Sequence, residues 1–284
     1  MKKVFNILLI NVLSFSLWGQ SATIYRTKDM KIVSTDSLAL ELSAANVVFF
    51  GEEHDDSLGH VAQYQLMQQL QQRNAKKLAL SLEMFETDCQ TALDEYLNGF
   101  ISEDRFLKDS RPWPNYKNHY RPMVELAKQK GLSVVAANAP RRYVNMVSKR
   151  GMASLDSLSK TAKKLLPPLP FDTLGGAYAQ KFNKTMGEHA TQNPRIYHSQ
   201  NLWDASMAYA IAQHLKRNKN QQVYHLCGRF HSDERLGTVA QLRKQKPKLV
   251  VKTISCMSEK NRIEEEKEPN GLTRLADFVI ITKK

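Results

Sequence analysis

Apolar runs of strand length that alternate with segments of helical period restrict the fold of this chain more than any other feature. The six runs are 47–50, 78–84, 133–137, 222–227, 249–255 and 278–282. Between the first two runs, Leu58, Ala62, Leu66 and Leu70 recur at every fourth position, which is the spacing of an amphipathic helix. Strands that are joined through helices build a mostly parallel sheet. The sequence therefore predicts an α/β fold with an open, mostly parallel sheet flanked by helices.

The stretch from about residue 151 to 195 breaks this regular alternation. Pro167, Pro168 and Pro170 interrupt any helix there, and a Gly-Gly pair follows them. We expect this stretch to form an inserted helical cap, placed where it covers a site or meets a partner chain.

The first 20 residues have the layout of a secretory signal peptide. Lys2 and Lys3 precede an apolar run from Val4 to Trp18, and small or polar residues follow it. A membrane-spanning helix needs about 20 apolar residues, and this run is shorter and interrupted by Asn and Ser. No Cys stands near its end for lipid attachment. We expect a signal peptide at 1–20, a single domain at 21–284, and a periplasmic or outer-membrane-associated protein. An uncleaved N-terminal anchor is the alternative.

The formal net charge of +13 favours anionic partners. Export argues against nucleic acid, which leaves a membrane surface or a carboxylate-bearing ligand, or else generic surface charge. Three cysteines, an odd number, argue against a disulfide framework and against a Cys-based metal site. The charged stretch 258–270 predicts a solvated loop.

Two Gly-x-x-His units directly follow predicted strands. They are Gly51 to His54 and Gly228 to His231. Ligands of open α/β sheets bind in the crevice beyond the carboxyl ends of the strands, so two such turns can face one pocket. Glu83, near the end of a third run, would reach the same rim, and Glu52 and Glu53 lie within the first turn.

Imidazole beside carboxylate supports several kinds of chemistry. Glu53, His54 and His231 could bind a divalent metal, and His54, His231 and Glu83 would be the catalytic groups of a metal-dependent hydrolase. The same groups could act as acid and base without a metal, or only hydrogen-bond the carboxylates of a ligand. Helix capping and satisfied backbone groups are the structural alternative for both His residues.

Longer blocks of the sequence resemble a known family. The blocks are GEEHDDSLGHVAQYQ, SLEMFETDCQTALDEYLNG, WPNYKNHYRPMVELAKQKGLSVVAANAPR, SQNLWDASMAYAI and GRFHSDERLG, in this order over residues 24 to 240. Together they resemble the ChaN-type haem-binding uptake proteins of the Tiki superfamily. The superfamily also holds TraB-type proteins, erythromycin-esterase-like enzymes and the Tiki proteases. Its paired Gly-x-x-His pattern and later acidic residue match Gly51, His54, Gly228, His231 and Glu83 here.

The resemblance implies an exported haem-binding protein of haem and iron acquisition, with two haems face to face in a haem-induced homodimer. It implies a tyrosine as the iron ligand. Tyr120 is the first choice, and Tyr64 and Tyr96 are the alternatives. Basic or His side chains would meet the haem propionates, and an outer-membrane haem receptor is a further partner.

The residues expected to bind the cofactor are Tyr120, Tyr64, His60, Gly51, Glu52 and Gly228. Tyrosinate is a known ligand of ferric haem. The family's protease branch keeps the metal-dependent hydrolase as the alternative function. A chaperone-like envelope factor that has lost the old activity is a third hypothesis.

Overall fold

The structure is a computed structural model that describes residues 22–74, 77–188 and 193–283. The predicted signal peptide, residues 1–20, lies outside the described residues. Within them, eight strands form one sheet in the order β2-β1-β8-β7-β3-β6-β4-β5. The strands are β1 (Ala22–Arg26), β2 (Lys31–Ile32), β3 (Val47–Glu52), β4 (Leu78–Glu86), β5 (Ser133–Asn138), β6 (Gln222–Gly228), β7 (Val251–Ser258) and β8 (Phe278–Thr282).

The six predicted strands pair in parallel, as β8-β7-β3-β6-β4-β5, so the predicted open, mostly parallel sheet is confirmed. The two N-terminal strands were not predicted from the sequence. β1 pairs with β8 antiparallel and carries the two-residue β2 at its outer edge. It begins directly after the predicted leader, where the pattern shows no separate apolar run.

Helices cover both faces of the sheet. They are α1 (Thr35–Leu42), α2 (Ser57–Asn74), α3 (Gln90–Leu97), α4 (Glu103–Ser110), α5 (Tyr116–His119), α6 (Arg121–Lys130), α7 (Arg141–Arg150), α8 (Lys160–Lys163), α9 (Ala177–Met186), α10 (Arg195–Arg217), α11 (Gly237–Gln245) and α12 (Glu259–Glu266). One hydrophobic core cluster packs helices α1, α2, α3, α4 and α6 against one face of the sheet. A second cluster packs α10 and α11 against the other face.

Helix α2 follows the predicted period, because Ala62, Leu66 and Leu70 are buried against the sheet. His60, which was expected to bind the cofactor, is buried on the same helix beside Gln63. A polar contact within the fold, described below, explains its burial.

The inserted segment after α7 is helical, with a 3-10 turn at Met152–Ser157 followed by α8 and α9. Leu155 and Leu166 of this segment pack with Val144, Val147 and Leu202. The segment therefore has its own small apolar core against α7 and α10.

The prediction of a solvated loop at 258–270 was wrong, because residues Glu259–Glu266 form α12. Arg262 bridges Glu259 and Glu266, three and four positions away, which stabilises such a helix despite its polarity. None of the helices in the described part of the chain combines the length and the apolarity that a bilayer crossing requires.

Candidate functional site

Glu52 ends β3 and is buried beneath the first Gly-x-x-His turn. Its Oε1 accepts hydrogen bonds from Nδ1 of His54 at 2.8 Å and from the hydroxyl of Tyr120 at 2.5 Å. Its Oε2 accepts a hydrogen bond from the amide of Gln63. Nδ1 of His60 lies 3.7 Å from the same oxygen. These contacts compensate the cost of burying a carboxylate.

The imidazole of His54 stands at the rim of the sheet with 46% of the side chain exposed. The backbone oxygen of His54 accepts a hydrogen bond from the side-chain amide of Asn115 at 3.1 Å and lies 3.2 Å from Nε2 of His60. Burial lowers the pKa of His54, but the hydrogen bond to Glu52 and the charge of Glu83 outweigh it and raise this pKa above its ordinary value. Nδ1 is thus committed to Glu52, whereas Nε2 makes no hydrogen bond within the described residues.

The second turn is held by the predicted acidic residue of β4. Oε2 of Glu83 accepts the backbone N–H of Gly228 at 2.7 Å, and Oε1 lies 3.5 Å from Nε2 of His231. The structure therefore brings Glu83, His54 and His231 together at the carboxyl ends of β3, β4 and β6.

His231 is buried and forms a second imidazole–carboxylate pair with Asp204 of α10. Nδ1 of His231 lies 2.7 Å from Oδ1 of Asp204. Asp204 also accepts hydrogen bonds from the hydroxyls of Thr238, at 2.8 Å, and of Tyr178. Burial opposes protonation, but the charges of Glu83 and Asp204 raise the pKa of His231 to about 9. The imidazole is therefore charged at neutral pH.

Both turn glycines stand where another chain segment approaches closely. A Cβ at Gly51 would overlap Oγ of Ser232 and lie 3.1 Å from Cα of Arg229. A Cβ at Gly228 would lie 3.0 Å from Cε1 and Nε2 of His54. The first glycine lets the second turn pack on β3, and the second lets the His54 ring approach the end of β6 closely.

The carboxylate of Glu53 makes its contacts with groups other than the two imidazoles. It pairs with Arg229 at 3.2 Å and accepts hydrogen bonds from the backbone of Ser258 and the amide of Asn261. Across residues 22–74, 77–188 and 193–283, no group of three or more His, Cys, Asp or Glu side chains could hold a metal ion. The expected metal set of Glu53, His54 and His231 is therefore not assembled.

None of the three expected haem-ligating tyrosines presents a free hydroxyl at the rim. Tyr120 is fully buried, and burial together with Glu52 raises its pKa above the ordinary value, which opposes formation of tyrosinate. The hydroxyl of Tyr96 donates to Glu125. Tyr64 packs partly against the core, and its hydroxyl accepts a hydrogen bond from Gln68. Tyrosine ligation stays a prediction that this geometry disfavours.

A recess of about 400 Å³ adjoins the His54 turn beyond the ends of β4 and β5. Trp113 and Trp203, both partly buried, line it together with Glu83 and Arg141, whose side chain is 71% exposed. The Trp113 ring also contacts the edge of the His54 imidazole, with centroids 4.9 Å apart. Sequence reasoning did not select Trp113, Trp203, Arg141 or Asp204 as site residues, although all four lie within the sequence blocks that carry the family resemblance.

The inserted segment covers the second turn. Nζ of Lys181 in α9 donates to the backbone oxygens of Phe230 and Asp233, at 3.2 and 3.1 Å. Tyr178, also of α9, donates to Asp204. The segment therefore holds His231 and its carboxylate partner away from solvent, while His54 stays exposed.

Paired imidazole–carboxylate turns at the carboxyl ends of a mostly parallel sheet define an α/β protein with a candidate ligand site at its rim. The chain belongs to the family of haem-binding uptake proteins, Tiki superfamily, ChaN, which matches residues 38–242. No curated protein matches the chain.

Two solved structures share the fold. A structure titled for cofacial haem binding to ChaN of Campylobacter jejuni is 18% identical, with a TM-score of 0.71 over 93% of this chain and 98% of that one. A mutant of the erythromycin esterase EreC in its open conformation is 10% identical, with a TM-score of 0.55 over 92% of this chain and 97% of that one.

Proposed function

We propose that the protein is exported, binds haem at the rim formed by His54 and the tryptophan-lined recess, and serves haem and iron acquisition. The observation that carries the proposal is that the exposed imidazole of His54 contacts Trp113, which lines the recess together with Trp203, in a chain of this haem-binding family. Haem presents a flat apolar macrocycle and two carboxylates. The recess offers the aromatic surface of its tryptophans to the macrocycle and the Arg141 guanidinium to the carboxylates.

His54 is the rim side chain best suited to contact the haem iron. Histidine is a common axial ligand of haem, and a carboxylate on the other ring nitrogen orients such a ligand and raises its basicity. Glu52 holds Nδ1 of His54 in this way. Bound haem would supply the iron that the protein carries. The residues around the site would orient the haem and limit its contact with water.

A haem at this rim would remain partly exposed, since His54 and Arg141 both face solvent. A second copy of the chain would cover it, which supports a dimer that forms on haem binding. Cofacial binding in the Campylobacter jejuni protein is consistent with this proposal. An outer-membrane haem receptor would then supply or receive the cargo.

Titration of the full chain with hemin, followed by Soret absorbance and size-exclusion chromatography, tests the proposal. We expect a saturable Soret band and a shift from monomer to dimer. His54→Ala should shift the band and weaken binding. His214→Ala, the same deletion at the far end of α10, should leave both unchanged. Equal effects of the two variants would remove His54 from the site, and a wild-type protein without a saturable band would refute haem binding.

Hydrolysis is the second candidate function, favoured by the two imidazole–carboxylate pairs on either side of Glu83. His54, oriented by Glu52, has the arrangement of a general base, and the charged His231 could stabilise negative charge or donate a proton. The fold shared with the erythromycin esterase is compatible with this chemistry. Ester hydrolysis that is lost in His54→Ala, measured on protein free of haem, would establish it.

A further inference from the structure

A second and larger cleft, of about 530 Å³, lies along β5 at the open edge of the sheet. Its walls are α3, α6, the second half of α10 and residues 164–167. Binding sites for small molecules have volumes of about 300–1,000 Å³. The cleft shares no lining residue with the recess at His54.

One face of α10 turns polar groups into this cleft. Ser206, Ala210, Gln213 and Arg217 follow one another at spacings of four, three and four residues, so they share one side of the helix. The hydroxyl of Ser206 is fully buried and has no hydrogen-bond partner in the described part of the chain. A buried hydroxyl without a partner is costly, so this atom has an unmet need for a ligand or a water.

The charges around the cleft are unbalanced. Lys128, Lys164 and Arg217 line it, and none of them has a carboxylate partner among the described residues. Asp94 is the acidic lining residue, and its carboxylate already accepts the amide of Gln90 at 2.8 Å. Lys164 and Arg217, together with Lys128, whose ammonium also lies 3.7 Å from the centre of the Tyr96 ring, give the cleft a positive charge that favours an anionic ligand.

The strand edge inside the cleft is not open to an added peptide strand. The side-chain amide of Gln90 donates to the backbone oxygen of Val134 at 2.9 Å and accepts the N–H of Ala136 at 2.8 Å. It thus occupies the backbone groups that a peptide would need. A small molecule is therefore a better match than an extended chain.

We propose that this cleft is a second ligand site, which binds a small, multiply charged anion such as a phosphate ester or a polycarboxylate. Lys164 and Arg217 contact its charges from the two sides of the mouth, Lys128 from the α6 wall, and Ser206 donates a hydrogen bond from the base. The site is independent of haem binding at the rim.

Isothermal titration calorimetry of the full chain with inorganic pyrophosphate and, separately, with citrate tests the proposal. At least one anion should bind saturably. The double variant Lys164→Ala, Arg217→Ala should weaken it by about tenfold or more, as expected when charge-assisted hydrogen bonds are lost. Ser206→Ala should weaken it too. Lys216→Ala is the matched control, because Lys216 is exposed and does not line the cleft.

Saturable binding of only pyrophosphate, or of only citrate, would support the site and identify the class of ligand. No saturable binding of either anion at millimolar concentration would overturn it. An equal loss of anion affinity in Lys216→Ala would also overturn the proposal, since the binding would then reflect general surface charge. Because Lys164 and Arg217 are both exposed, their replacement should not change the thermal unfolding of the protein. An unfolding curve that matches wild type confirms that the double variant is folded.

Discussion

The carboxylate of Glu83 accepts the backbone N–H of Gly228 at 2.7 Å, and this hydrogen bond joins β4 to the start of the second Gly-x-x-His turn. The other oxygen of Glu83 lies 3.5 Å from Nε2 of His231, and a Cβ at Gly228 would lie 3.0 Å from the His54 ring, so Gly228 stands next to that ring. The acidic residue is therefore part of the support for both imidazoles. The short motifs are parts of one assembly that is centred on β4.

Gly228→Ala should disturb this assembly directly. The added Cβ would lie 3.0 Å from the His54 ring, so the partly exposed imidazole must shift from its position. We expect weaker hemin binding and an altered Soret band. Gly175→Ala is the control, because nothing lies within 4 Å of its added Cβ. Unchanged hemin binding in Gly228→Ala would show that the His54 position is not critical.

Tyr120→Phe should lower stability and leave the Soret band unchanged. The substitution removes a donor from the buried carboxylate of Glu52, which should cost about 1–3 kcal/mol in the free energy of unfolding. Urea denaturation and hemin titration of the same preparation measure both effects. A lost Soret band with unchanged stability would instead restore Tyr120 as the iron ligand.

The helical spacing of apolar residues and the lengths of the apolar runs were sufficient to predict the six parallel strands and the helical insertion. They could not reveal β1 and β2, because β1 is short and mostly only partly buried and the two-residue β2 at the edge is exposed. They also mispredicted α12, because the local ion pairs of Arg262 stabilise this helix without an apolar face.

The sequence located the three strand ends of the site but not its supporting contacts. His54 and His231 follow strands and Glu83 lies near the end of a third, so topology alone brings them together. Asp204 comes from the middle of α10, and its contact with His231 depends on how that helix crosses the sheet. Glu53 faces Arg229 rather than His231, because consecutive side chains at a strand end point in opposite directions.

The pKa of His231 predicts a pH-dependent stability. This pKa is about 9 in the folded protein and near 6.5 in the unfolded chain. Folding therefore gains stability from protonated His231 below about pH 6.5, and this gain is lost as pH rises toward 9. His231→Gln should flatten the free energy of unfolding across this interval. A parallel pH profile for wild type and variant would contradict the assignment.

Export should leave a mature N-terminus between about Gln20 and Thr23. The basic start and short apolar run predict cleavage there. The described β1 begins at Ala22 and pairs with β8, so cleavage before Ala22 would preserve every paired residue of the strand. Intact mass of protein recovered from the periplasm measures the position. A mass that retains residues 1–18 would exclude this processing.

Divalent metal should not bind stoichiometrically at the rim. Glu52 and Asp204 each hold one nitrogen of an imidazole, and Arg229 holds the carboxylate of Glu53. Equilibrium dialysis with Zn(II) or Mn(II), followed by elemental analysis, should therefore find no bound metal that depends on His54 and His231. Any ester hydrolysis should survive a chelator and disappear in His54→Ala, since its base would be the imidazole itself. Stoichiometric metal in wild type, absent from both His54→Ala and His231→Ala and lost together with hydrolysis, would instead establish the metal-dependent enzyme.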